Sequence, residues 1–142
     1  AEKADKHFLQ SKYNKNIPVI MALISFYYTT YFEAQSHLIL PYNFRLRFLQ
    51  DHIQQLEMES NGKSLDVHGK SIASKAGNIV WGGSGSCSQH SFYQLLHQGN
   101  LIIPSDFIIS KKSDCGSQDN HDMLFSNFLS HLEILNKNTY TF

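Results

Sequence analysis

Apolar positions fall along the chain in three kinds of run, and each kind predicts a different element. IPVIMALISFYYTTYF, Ile17 to Phe32, carries no charge and is apolar nearly all round. With Pro18 in the first turn, where its missing N–H costs nothing, it predicts a buried helix running to about Phe32. It is shorter than a membrane span and contains Pro18 and two threonines, so no membrane crossing is expected. Three shorter runs predict strands: SHLILPY (36–42) and LIIPSDFIIS (101–110), both read as buried and the latter interrupted by Pro104, and NIVWGG (78–83). The third kind recurs at helical spacing. After Asn43, a favoured N-cap, Phe44, Phe48, Ile53 and Leu56 mark an amphipathic helix that Asn61-Gly62 ends. QHSFYQLLHQG predicts a helix closed by Gly99, with His90 in its first turn, and HDMLFSNFLSHLEIL predicts the last helix.

Strands alternating with helices predict an α/β fold, a parallel sheet with helices on both faces. KSLDVHGKSIASKAG, with turn glycines at Gly69 and Gly77, reads as a surface hairpin or irregular excursion. In such a sheet, ligands gather outside the carboxyl ends of the strands, where helix N-termini offer free N–H groups. That directs attention to the small-residue loop after Trp81.

Composition narrows the class. A chain of 142 residues is one domain or part of one. Twelve basic and twelve acidic residues with no basic block leave no electrostatic footprint for nucleic acid. Cys87 and Cys115 form no CxxC pair, so neither a disulfide framework nor a zinc site is indicated, and a reducing cytoplasm fits. The amino terminus, AEKADKHFLQ, lacks the basic-then-apolar order of a signal peptide, and it begins without Met, as a processed protein or a piece of a longer chain would.

Candidate chemistry is sparse. Glu57 and Glu59 lie about 200° apart on a helix, so they cannot work as a side-by-side pair of carboxylates, and periodicity does not choose between them. For either one, the ordinary reading is a solvated carboxylate at a helix end. His90 sits near the presumed ligand end of the sheet, although a histidine at a helix start is more often structural. His97 is about 10 Å further along the helix axis, too far to chelate a metal with His90. GGSGS is neither GxGxxG nor a Walker loop, and no GxSxG elbow surrounds Ser84, Ser86 or Ser88.

Taken together, MESNGK (58–63), IVWGGSGSCSQHSFYQLLHQG (79–99), IIPSDFI (102–108) and NFLSHLEIL (127–135) resemble the glucose-6-phosphate isomerase family in order and spacing. PVIMALISFYY and LILPY upstream fit as well. The resemblance implies that 1–35 is a helical lead-in and that 36–142 is most of the second sugar-isomerase domain, an incomplete, flavodoxin-like three-layer sandwich. It also implies a cytoplasmic aldose–ketose isomerase that interconverts glucose 6-phosphate and fructose 6-phosphate through a cis-enediol, with no metal or nucleotide cofactor. Glu59 would move the proton between C2 and C1, His90 would act as acid/base in ring opening, and Gln55 would line the substrate pocket. By the same resemblance, the functional parent is a homodimer in which His90 reaches the neighbouring subunit's site.

The resemblance has departures. Members commonly read TNGQH where this chain has Ser86-Cys87-Ser88-Gln89-His90, often Glu at Gly83, and Thr at Asn100. Two histidines are usual where DNH ends the 111–120 loop, and His121 is assigned no role. The family's glycine-arginine signature, its serine/threonine-rich phosphate site and its late lysine motif have no counterpart here. The chain by itself is therefore expected neither to bind a sugar phosphate tightly nor to turn it over. The alternative is a sugar-phosphate-binding module of the same fold that reads phosphosugars without isomerising them; MESNGK and the histidine argue against it, since a sensor needs no proton shuttle.

Overall fold

The computed structural model describes residues 2–73, 76–113 and 116–138, which form two units, residues 1–34 and 35–142. The first holds helix α1 (Glu2–Gln10), a 3-10 turn at Tyr13–Lys15 and helix α2 (Ile17–Tyr31). Asn16 is the buried hinge between the helices: its Oδ1 accepts from Val19 N–H as the α2 N-cap, and its Nδ2 donates to Phe8 O at 2.7 Å. Pro18 occupies the first turn of α2, as its fixed φ suits. The expected burial of α2 is not observed. None of its residues is buried, and Ile17, Met21, Leu23, Phe26 and Tyr31 are all more than half exposed. A helix apolar on every side needs neighbours on every side, and this unit supplies only α1 and a single turn.

The second unit is an α/β sheet. Strands β1 (Ser36–Pro41), β2 (Ile79–Gly82) and β3 (Ser105–Ile108) are all parallel, in the order β2-β1-β3. Central β1 is enclosed, which explains its unbroken apolar run; Leu38, Ile39, Leu40 and Pro41 are buried. β3 starts immediately after Pro104, which has no N–H for a ladder. Between the strands lie α3 (Leu49–Gln54) and α4 (Tyr93–Gln98), and α5 (Gln118–Asn138) follows the last strand. The β1-to-β2 and β2-to-β3 crossovers run in opposite directions across the sheet, so the right-handed rule puts α3 on one face and α4 on the other.

The main core lies on the α4/α5 face, where Leu38, Leu40 and Tyr42 meet Tyr93 and Phe128. The Tyr42 and Tyr93 hydroxyls hydrogen-bond each other, and Phe128 stands edge-on to Tyr42 at 5.2 Å between centroids. His97 and His131 stack beside Tyr93, and burial pushes both imidazole pKa values down.

The amphipathic helix expected from Asn43 to Ser60 is broken into three pieces. Asn43 does cap, with Oδ1 accepting from Arg45 N–H, but it opens only a 3-10 turn, Phe44–Leu46. α3 follows, and a π turn, Gln55–Glu59, continues from it until helical geometry ends at Asn61. Phe44, Phe48 and Leu56, read as core-facing, are exposed instead, because the broken helix turns them off the sheet. The Arg47 guanidinium covers Phe44 and Phe48, 4.3 and 4.5 Å from their centroids. The described residues of the 64–77 stretch are exposed apart from half-buried Ile72 and carry an antiparallel bridge, Leu65 to Ser71, as the turn residues suggested; Ser74 and Lys75 lie outside the described residues.

Candidate functional site

The MESNGK segment ends the α3 helix with several ties of its own. Lys63 Nζ donates to Glu59 O at 3.2 Å and to Ser60 O, so a cation sits on carbonyls that the helix end leaves unpaired. A Cβ on Gly62 would come within 2.3 Å of Met58 O, so the chain can leave the helix this tightly only at glycine. Asn61 Nδ2 donates to Glu57 Oε2 at 2.8 Å. Periodicity left the two glutamates equivalent, but their surroundings differ. Glu57 is half-buried and hydrogen-bonded to the turn, whereas Glu59 is exposed and its carboxylate has no partner among the described residues. Gln55 is likewise exposed, four residues before Glu59 in the same π turn.

His90 lies elsewhere. It was expected in the first turn of a helix, but it closes a 3-10 turn, Cys87–His90, and α4 begins only at Tyr93. The small residues between Gly82 and Ser88 favour local turns, seen in Ser88 N–H bonding Ser84 O at 2.9 Å and Ser91 N–H bonding Ser88 O at 3.0 Å. The loop is pressed onto the end of β1. Gly82, at φ 145°, passes so close to Ile39 that a Cβ would fall 2.0 Å from its carbonyl oxygen, and a Cβ on Gly85 would fall 2.1 Å from the Tyr42 ring. Gln89 Nε2 donates to Asn127 Oδ1 at 2.7 Å and ties the turn to α5, leaving the neighbouring His90 exposed.

Glu59 and His90 therefore occupy opposite edges of the sheet. α3 starts beyond the carboxyl end of β1 and runs back along it, and the helix end meets Gly77, just ahead of β2, where a Cβ would sit 3.3 Å from the Asn61 carbonyl carbon. His90 follows the carboxyl end of β2, in a loop whose Gly85 N–H bonds Pro41 O at 3.0 Å. Ser36 and Pro41 mark the two ends of β1, and five residue steps at about 3.3 Å separate the edges by about 16 Å. Within one chain these side chains do not converge.

A cleft of about 150 Å³ opens at the topological switch point, between the carboxyl ends of β1 and β3 and the start of α5. Tyr42, Asn43, Ser110, Lys112, His121 and Leu124 line it, and Gln55, Glu59 and His90 do not. It is well below the roughly 300 Å³ at which pockets for drug-sized ligands begin. Among the described residues, no three His, Cys, Asp or Glu side chains converge on a metal position, and no helix is long and apolar enough to cross a membrane. Cys87 is exposed and free, and Cys115 lies outside the described residues.

Residues 1–139 match the family described as phosphoglucose isomerase. Glucose-6-phosphate isomerase of Chlorobium phaeobacteroides is 44% identical over 137 residues, covering 96% of this chain and 24% of that protein. The enzyme of the same name from Ectopseudomonas mendocina is 47% identical over 131 residues, covering 92% and 24%. Among solved structures, a glucose-6-phosphate isomerase from Chlamydia trachomatis superposes with a TM-score of 0.78 at 32% identity, over 94% of this chain and 26% of that one. The chain spans about a quarter of the length of the relatives it matches, and it belongs to the phosphoglucose isomerase family.

Proposed function

We propose that this chain is part of a cytoplasmic glucose-6-phosphate isomerase, with residues 36–142 contributing most of its second sugar-isomerase domain and 1–35 leading into it. The open-chain aldose loses its C2 proton to the Glu59 carboxylate. The C–H electron pair becomes the C1–C2 double bond of a cis-enediol as O1 takes a proton. Return of the carried proton to C1, with loss of the O2 proton, leaves the ketose. Nothing is oxidised or reduced overall, and the base ends as it began. A free carboxylate on a helix end suits this role, because desolvation by substrate and surrounding structure makes a carboxylate a stronger base. Gln55, on the same turn, lines the sugar pocket. His90 acts as acid/base on the ring oxygen and the C1 hydroxyl during ring opening, since imidazole both gives and takes a proton near neutral pH.

The observation that carries the arrangement is the placement of Glu59 and His90 at opposite sheet edges. Neither can serve the other's substrate within one chain, which supports a site completed by His90 from a second copy in a homodimer. The exposed apolar faces of α2 support a place in a larger fold, where they are covered. Names borne by relatives more than 40% identical over nine-tenths of the chain support the reaction itself. The test is Glu59→Gln in the full-length protein, which keeps shape and hydrogen bonding but removes the base. Isomerisation and exchange of the C2 hydrogen with solvent should both fall by about 10²- to 10⁴-fold while sugar phosphate still binds. A near-normal rate would remove Glu59 from the role, and a wild-type protein that binds sugar phosphate without C2 exchange would favour a sensor.

A further inference from the structure

We propose that Gln54, to which no role has been assigned, is a positioning residue for the proton transfer, its side-chain amide fixing the turn that carries Glu59 against the backbone of β2. The proposal rests on the reading of Glu59 as the base. In the parallel ladder, Ile79 N–H bonds Gln35 O at 2.9 Å and Gly83 N–H bonds Ile39 O at 3.3 Å, so alternate residues of β2 face β1. Val80 is out of phase with them, and its N–H and C=O point to the other side, where the described sheet order β2-β1-β3 supplies no further strand. Val80 is buried, so its carbonyl cannot turn to water for a donor. Gln54 Nε2 supplies one at 2.8 Å, across 26 residues of sequence.

The position of this bond is what makes it more than an edge cap. Gln54 is the last residue of α3, and the π turn begins at the next residue and ends at Glu59. Each residue added to or removed from a helical turn rotates everything beyond it by about 100°. The extra residue of a π turn therefore sets the direction in which Gln55 and Glu59 project, and such turns persist where packing holds them. Gln54 holds the near end of the turn to the sheet and Lys63 Nζ holds the far end through Glu59 O. Glu59 extends about 7 Å beyond the Gln54 tether, at a rise of about 1.5 Å per residue, so a small rotation at Gln54 is enlarged at the carboxylate.

The test uses the full-length protein carrying Gln54→Met, which keeps the length but removes the donor, and Gln54→Lys, which restores a donor. The Met variant should lose about tenfold in kcat with KM within about twofold, because a base displaced by a fraction of an ångström still sits in a pocket that binds. The C2 hydrogen should also partition away from direct transfer to C1 and toward exchange with solvent, a signature that lost stability alone does not produce. The Lys variant should recover most of both. A folded Met variant with unchanged kcat and unchanged transfer overturns the proposal. If the Met variant does not fold, the Lys variant decides, and a folded Lys variant with impaired transfer overturns it equally. Glu59→Gln run in parallel separates the two claims: an active Glu59→Gln removes the base itself, whereas an inactive one beside a normal Gln54→Met removes only the role of Gln54.

Discussion

The amino edge of the sheet presents Glu59 and the carboxyl edge presents His90, and the two edges solve the same problem with different parts. At the amino edge, a helix end is wound into a π turn, roped to β2 by Gln54 and closed by Lys63. At the carboxyl edge, a glycine-rich loop lies against Ile39 and Tyr42, tightens into a 3-10 turn and is roped to α5 by Gln89. Each exposed side chain closes a non-α turn that a glutamine at or beside it ties to the packed body. Helical windings of this kind are short and costly, and they are retained where direction matters. On the proposed reading, the difference lies in what each edge would offer: an acceptor for a carbon-bound proton at one, and a two-way proton exchanger at the other. On this account each active site takes one edge from each of two chains.

The contrast can be broken from the carboxyl edge. In the full-length protein, His90→Gln should lower isomerisation of the cyclic sugar by about 10²-fold, at the lower end of the range for general acid–base catalysis. C2 exchange in the fraction of substrate already open should be much less affected, because the base at the other edge is intact. Stopped-flow assays that follow ring-closed and ring-open substrate separately would show this, and equal losses for both would merge the two roles.

A smaller effect is expected from Asn127→Leu, which removes the acceptor for Gln89 and loosens the turn behind His90 without touching either proposed catalytic group. The loss should be several-fold in turnover of the cyclic sugar. About 1 kcal/mol of stability should go with it, the usual net worth of one hydrogen bond. Thermal denaturation beside steady-state kinetics checks both, and a loss confined to exchange at C2 would contradict the division between the edges.

The parts of the fold set by local composition were legible in the sequence. Enclosed β1 reads as an apolar run, Pro104 marks where β3 can start, and Pro18 marks the first turn of α2. Long-range contacts were not legible. Gln54, at the start of the π turn, meets a carbonyl 26 residues away, and Gln89, in the 3-10 turn, meets Asn127. Neither partner can be named from periodicity. Apolarity showed that α2 is suited to burial but did not say which neighbours would cover it, and among the described residues none of α2 is buried. Phe44 and Phe48 misled for a related reason: helical spacing puts residues on one face only where a single continuous helix carries them, and here Arg47 covers both rings on the solvent side. The choice of Glu59 over Glu57 came from resemblance alone; the hydrogen bond from Asn61 to Glu57 is a difference between the two that periodicity could not supply.

The division of one site between two chains is tested most directly by mixing two dead proteins. Full-length Glu59→Gln and His90→Gln dimers would be dissociated together and allowed to reassociate. If Glu59 of one subunit works with His90 of the other, each mixed dimer regains one intact site of two, and random reassortment of a two-fold dimer should restore about a quarter of wild-type activity. If both residues serve a site within one chain, no mixed dimer contains an intact pair, and activity staying at the level of the separate variants would contradict the account.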